Sequence, residues 1–533
     1  MTITKTSLGD IEGQIANGLH IFRGIPYAET TAGEWRFRRA RPKQPWTSVR
    51  KALEPHAVAP QLQDVAYAMA GSSVEHLCNE NCLELNVWTP GIEVATRPVM
   101  VYIHGGGYLY GSSHDEDYNG AALAKAGDVV VVTINYRLGI FGHLYLGAVG
   151  GKEFQDSGTL SLTDQIEALR WVKANIAAFG GDPDNVTIFG ESCGGLSVSH
   201  LTASPLAQGL FQRMIAMSGA AAGRTEQIGI DITAAVMKQA KVKTVTELQT
   251  LSMKDLLALQ AWALAELGMA EGTFIPVIGP SPALPEDPLE LMAKGAGGDV
   301  DMMIGYTRDE MRYWEFYYPG LLEKPPAVVR KWASDLFGNA GPKVLDTYAR
   351  IRPEEKPGEL ACSIIGDIIF GYMSDQQALR HARHNPRTWM YRVDWRTSML
   401  EGRLGSPHAC ELPFVFDSFD IPWGKLVAEN DTTERRALLA AFQGAFLAFA
   451  RTGDPNHVGI PQWQPFEEKS RCAMVFDVNT ECRTNPVKQE LALWDEIIGP
   501  EKVSEAPRYF HFPVEESYPT GEAADETAKL STA

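Results

Sequence analysis

The stretch Val186-Thr187-Ile188-Phe189-Gly190-Glu191-Ser192-Cys193-Gly194-Gly195 joins an apolar run directly to a Gly-x-Ser-x-Gly pentapeptide, with no spacer between them. The first four residues read as a strand buried on both faces, and residues 194–203 can form the helix that follows. A serine at the apex of such a strand-to-helix turn stands clear of the sheet, where a base can activate its hydroxyl as a nucleophile. Glycines at 190 and 194 let strand and helix approach closely enough to make the turn. The five-residue pattern alone is weak. The strand before it and the helix after it give it weight.

Working outward, Val99–Ile103 and Val129–Ile134 are further apolar runs that read as central strands. Met214–Met217, Met302–Gly305 and Trp389–Val393 extend the series. Leu162–Ala178 carries Ile166, Leu169, Trp171, Val172 and Ile176 near helical spacing and stops at Gly180-Gly181-Asp182-Pro183. Asp231–Leu267 is helical in pattern, and a long helix over Thr432–Arg451 is capped by Thr432 or Thr433. This alternation predicts the α/β class: a large, mostly parallel central sheet flanked by helices, with helical insertions. Residues 1–514 are expected to form one domain, and the polar, acidic residues 515–533 a mobile tail.

With 533 residues, 45% hydrophobic and 21% charged, the chain can bury a sizeable core. Its net charge of -18 opposes approach to phosphate backbones and anionic membranes, so neither nucleic acid nor membrane is an expected partner. Met1–Gly13 lacks an apolar core of the kind a secretory leader needs, which predicts a cytoplasmic protein, monomer or homodimer. Seven cysteines are too few and too scattered for a disulfide scaffold. The close pairs Cys78/Cys82 and Cys472/Cys482 lack a second ligand cluster, so no metal is expected.

Acyl transfer from a serine needs preplaced N–H donors for the oxyanion, and His104-Gly105-Gly106-Gly107 follows the Val99–Ile103 strand where such a loop would sit. No Gly-Lys-Ser/Thr follows it, which argues against a phosphate cradle. Histidines after the serine are His200, His381, His384, His408, His457 and His511. His200 lies two helical turns beyond Ser192 and would point away from it. His408 sits in the turn-like Gly405-Ser406-Pro407-His408, a fitting place for a base, but spacing alone does not choose it over His457.

The chain resembles the type-B carboxylesterase family of α/β-hydrolases, the group of carboxylesterases, cholinesterases and bacterial nitrobenzyl-esterase-like enzymes. Phe22-Arg23-Gly24-Ile25-Pro26-Tyr27-Ala28, Cys82-Leu83-Glu84-Leu85-Asn86-Val87-Trp88, Phe179-Gly180-Gly181-Asp182-Pro183, the Ser192 pentapeptide, Gly305–Glu310 and His408–Phe416 carry the likeness in order. The resemblance implies an α/β-hydrolase fold and a cofactor-free serine carboxylesterase acting on a small-molecule ester. It implies Ser192 as nucleophile, Glu310 as triad acid with Asp309 the alternative, and His408 as base. Gly106, Gly107 and Cys193 would donate to the oxyanion, and Glu191 would place a charge beside the serine.

Departures from the family's pattern are specific. Cys193 replaces the usual Ala or Ser, Met311 and Ala409 replace glycines, and the cysteine that usually pairs with Cys82 is absent. No tryptophan stands between Gln61 and Cys82, which argues against a choline ester as substrate. The aromatic run Arg312–Tyr318 would line an apolar pocket or pack a lid on the sheet. Two other readings use the same fold: cleavage of a carbamate, anilide or amide, and a catalytically silent interaction protein. The presence of all the triad residues argues against the second.

Overall fold

A computed structural model describes residues 1–63, 77–93, 96–267 and 273–514; the predicted mobile tail, 515–533, lies outside them. The strands are β1 (Thr2–Thr6), β2 (Gly9–Ala16), β3 (Leu19–Pro26), β4 (Glu84–Thr89), β5 (Arg97–Ile103) and β6 (Val130–Ile134). They continue with β7 (Gly181–Glu191), β8 (Arg213–Met217), β9 (Asp301–Thr307), β10 (Thr388–Val393), β11 (Cys472–Phe476) and β12 (Glu481–Thr484). In space they run β1-β2-β3-β4-β6-β5-β7-β8-β9-β10-β11-β12, and the short Arg50–Lys51 segment beside β2 brings the sheet to thirteen strands among the described residues.

From β6 through β5, β7, β8, β9 and β10 to β11 the pairing is parallel, and toward both ends the strands pair antiparallel, except that Arg50–Lys51 lies parallel to β2. The apolar runs identified in the sequence are these central strands. Val99–Ile103 and Val130–Ile134 are completely buried, because helices cover both faces of a parallel sheet. The antiparallel ends instead alternate, as β1 does with Ile3 exposed between buried Thr2 and Thr4.

Helix α1 (Leu160–Asn175) starts and ends slightly earlier than its apolar pattern suggests, and a 3₁₀ turn over Ile176–Phe179 finishes the segment. Helix α2 (Cys193–Ala203) follows β7 directly, and helix α3 (Thr433–Thr452) is capped by the Thr432 hydroxyl, which accepts the Arg435 N–H at 3.1 Å. The Asp231–Leu267 region is three helices, Glu226–Ala240, Val245–Gln249 and Met253–Leu267. The first is stopped by left-handed Lys241, and the second opens on a Thr244/Glu247 capping box.

The carboxyl ends of β5, β7, β9 and β10 lead to Gly105, Ser192, Glu310 and the loop that bears His408. Ligands of open α/β sheets bind at this edge. Among the described residues no helix is long and apolar enough to cross a membrane. All seven cysteines are free: Cys82 is buried apart from Cys78, and Cys472 and Cys482 face each other with sulfurs 3.4 Å apart.

Candidate active site

Ser192 sits at the apex between β7 and α2 with φ 58° and ψ -124°, a backbone state a non-glycine residue adopts only when its surroundings hold it there. Its N–H donates to the Met217 carbonyl and its own carbonyl accepts from the Leu196 N–H, both at 2.9 Å. The glycine at 194 is dictated by packing, since a side chain there would run into the carbonyl of Ile103 at the end of β5. The elbow is therefore wedged between two neighbouring strands.

The glycine loop after β5 packs on this apex. A side chain at Gly105 would come within 3.1 Å of Ser192 Cβ. Gly106 and Gly107 have φ of 98° and 62°, and the Gly106 carbonyl accepts the N–H groups of Leu109 and Tyr110 at 2.9 and 3.1 Å. Gly106, Gly107 and Cys193, the three expected oxyanion donors, all line the cavity that Ser192 lines. Burial, with Glu191 nearby, pushes the Cys193 thiol up to about 12.

Glu310 and His408 arrive on loops after β9 and β10. Oε2 of Glu310 is 2.5 Å from Nδ1 of His408, while Oε1 accepts from the Ser218 hydroxyl and the Thr307 N–H, both at 2.7 Å. Asp309, the alternative acid, is turned elsewhere. Its Oδ2 accepts the Ser406 N–H at 3.0 Å, and its other oxygen pairs with Arg312 at 3.3 Å. Two backbone bonds, Asp309 N–H to the Ser406 carbonyl and His408 N–H to the Glu310 carbonyl, complete a staple between the two loops.

The second imidazole nitrogen, Nε2, lies 3.1 Å from Oε1 of Glu191, a more direct contact than a charge merely placed beside the serine. Among the described residues no hydrogen bond joins His408 to the Ser192 hydroxyl, although both face the same cavity. Burial lowers the imidazole pKa, but the carboxylates of Glu191 and Glu310 outweigh it and raise the group above the usual histidine range. Burial in turn raises the Glu191 carboxyl.

The other candidate bases are engaged elsewhere. Carbonyls of Ala222, Ala293 and Ala441 accept from His200, His384 and His457 at 2.8, 2.9 and 3.0 Å, and His381 bonds the Thr388 hydroxyl at 2.7 Å. His511 lines the cavity.

That cavity holds about 710 Å³ and opens onto Ser192, His408, Gly106, Gly107 and Cys193. Within the Arg312–Tyr318 run, Tyr313, Trp314 and Tyr317 line it, as the first of the two anticipated purposes requires, and Tyr318 packs on Phe512 of the C-terminal segment with ring centroids 5.4 Å apart. Trp314 and Phe370 lie 5.5 and 4.9 Å from the His408 ring.

Several site residues escape a reading of the sequence. Phe370 reaches the imidazole because the chain makes a π-helical turn over Asp367–Tyr372, a register change with no simple sequence mark. Glu411, fully buried, lies near the Ser218 hydroxyl at 3.5 Å; burial and the carboxylates of Glu191 and Glu310 raise its carboxyl well above the usual range. Its position three residues after His408 is the one signal that could have found it. Ser504–His511, from the far end of the described chain, contributes a wall of the cavity.

A sequence profile described as the carboxylesterase family matches residues 1–494. The para-nitrobenzyl esterase of Bacillus subtilis (strain 168) is 34% identical, over 92% of this chain and 97% of its own length. A phenmedipham hydrolase of Pseudarthrobacter oxydans is 32% identical, over 89% of this chain and 94% of its own. The crystal structure of a Geobacillus stearothermophilus carboxylesterase superposes with a TM-score of 0.83 at 32% identity, covering 93% of this chain and all of that one. The chain therefore belongs to the carboxylesterase family and is a carboxylic ester hydrolase of the α/β-hydrolase fold.

Proposed function

We propose that the chain cleaves small-molecule carboxylic esters through an acyl-enzyme formed on Ser192, with His408 as general base and Glu310 as the acid that orients it. The observation that carries this reading is the buried Glu310–His408 bond, ending in the cavity onto which the Ser192 elbow opens. In this mechanism His408 Nε2 leaves Glu191, takes the hydroxyl proton as Ser192 Oγ bonds to the carbonyl carbon, and then delivers that proton to the departing alcohol. Catalytic hydrogen bonds often form only when substrate is present, which fits the open Ser192–His408 arrangement. Water attacks the acyl carbon in the second half, giving its proton to His408, which returns it to Ser192 as the acid leaves.

The carbonyl oxygen gains a negative charge in both halves, and the N–H groups of Gly106, Gly107 and Cys193 are the donors that would meet it. One domain of residues 1–514 would carry all of this, since a single sheet draws strands from residue 2 to residue 484. The likeness to a phenmedipham hydrolase supports a second reading, in which the same groups cleave a carbamate, anilide or amide.

Ser192→Ala should abolish hydrolysis of p-nitrophenyl butyrate, and a fluorophosphonate should label wild type at Ser192 but not the variant. Wild-type turnover by the variant would overturn the assignment. A panel of matched esters and amides separates the two readings.

A further inference from the structure

Strands β11 and β12 pair antiparallel at the end of the sheet, with Cys472 opposite Thr484 and Met474 opposite Cys482. Side chains two apart on a strand share a face, so Cys472, Thr484 and Cys482 point the same way and the two cysteines are diagonal neighbours across the pair. Their sulfurs touch. They lie 3.4 Å apart, against roughly 2.05 Å in a disulfide, so each has to move only about 0.7 Å to bond. Strand β12 can follow that movement. It is the last strand of the sheet, hydrogen-bonded to a neighbouring strand on one side only among the described residues, and Glu481, Arg483 and Thr484 on it are exposed.

The two thiols differ in access. Cys472 is 6% exposed and Cys482 is half-buried, so a reagent in solution reaches Cys482 first. Burial, with the Cys472 thiol beside it, pushes the Cys482 thiol up to about 11, which makes its exchange at neutral pH slow rather than absent. Neither cysteine lines the cavity at Ser192, so this chemistry is separate from ester cleavage.

We propose that Cys472 and Cys482 are a redox-active dithiol, closed to a disulfide by a low-molecular-weight disulfide of the glutathione type, and that the bond staples β12 to β11. The Cys482 thiolate attacks one sulfur of the reagent, which forms a mixed disulfide and releases the first reagent thiolate to take up a proton. Cys472 then gives up its proton, its sulfur attacks Sγ of Cys482, and the second reagent thiol leaves. The protein loses two electrons and two protons, and one reagent disulfide becomes two thiols. A reducing thiol pool reverses both steps. A compartment rich in reduced glutathione therefore keeps the pair open, and an oxidising one closes it.

The test incubates the reduced, folded full-length chain with excess glutathione disulfide for hours, the upper end of the range for such exchange, then alkylates the remaining thiols and digests the protein. The digest should contain a peptide joining Cys472 to Cys482, and dithiothreitol should return both to free thiols. Cys472→Ser removes the thiol that resolves the mixed disulfide, so this variant should stop with one glutathionyl group on Cys482. Amide hydrogen exchange over residues 481–484 should be slower by about tenfold or more in the oxidised wild type than in the reduced one. Absence of the joined peptide, glutathione that stays on Cys482 in the wild type, or unchanged exchange over residues 481–484 would overturn the proposal. The wild-type digest and exchange decide the matter even if the serine variant does not fold.

Discussion

Oε1 of Glu191 lies 3.1 Å from Nε2 of His408, and Oε2 of Glu310 lies 2.5 Å from Nδ1, so the imidazole is held between two carboxylates. Burial favours the neutral ring, but the two charges favour the imidazolium and prevail. The base must be neutral to accept the serine proton. Activity of the free enzyme should therefore fall with decreasing pH through a value above the ordinary histidine range of about 6.5.

Glu191→Gln removes one of these charges and keeps the shape. The imidazolium loses a stabilising partner, the histidine pKa drops, and the acid limb of kcat/KM for p-nitrophenyl butyrate should move down by about one pH unit. An acid limb that stays in place would show that Glu191 does not act on His408 electrostatically.

Asp309 offers a test of positioning. Its carboxylate accepts the Ser406 N–H at 3.0 Å and thereby ties the loop bearing Glu310 to the loop bearing His408. Asp309→Ala should lower kcat by about tenfold or more with little change in KM, because a misplaced imidazole affects the chemical step more than binding. Asp309→Asn retains an acceptor oxygen at this position and should recover much of the loss. Equal damage in both variants, or a change confined to KM, would rule out the staple.

Cys193 separates main chain from side chain. As an oxyanion donor it would act through its N–H, so Cys193→Ala should change kcat/KM by less than about tenfold, well short of the roughly 100-fold loss that follows removal of a donor. Burial pushes its thiol up to about 12, so iodoacetamide at neutral pH should leave activity intact. Rapid inactivation that Cys193→Ala prevents would contradict this.

The central strands and the Ser192 elbow were legible because two-sided burial writes apolar runs such as Val186–Phe189 into the chain and the tight turn writes glycines beside them. The choice of base was not legible in the same way. His408 meets Glu310 across 98 residues of chain, and local spacing carries no record of that contact. Only the resemblance separated His408 from His457 and Glu310 from Asp309. The breaks within Asp231–Leu267 were written locally, in Thr244 and Glu247, and were hidden by a continuous apolar period. Phe370 depends on the π-helical turn, which a periodicity cannot report.

Gly194→Ala tests whether packing or conformational freedom fixes the elbow. A methyl group at 194 would meet the Ile103 carbonyl, which belongs to a strand and cannot move aside as a flexible side chain would. Helix α2 would have to lift from the sheet, at a cost of about 1–3 kcal/mol, and carry Ser192 with it. Gly209 is the comparison: it has φ 76° but nothing within 4 Å of the added carbon, so Gly209→Ala meets conformational strain alone, about 1–2 kcal/mol. Both variants should melt earlier than wild type. Only Gly194→Ala should also slow fluorophosphonate labelling of Ser192, by about 100-fold for a displacement near 1 Å. Equal labelling rates in the two variants would mean that the elbow holds its serine without the close contact between α2 and β5.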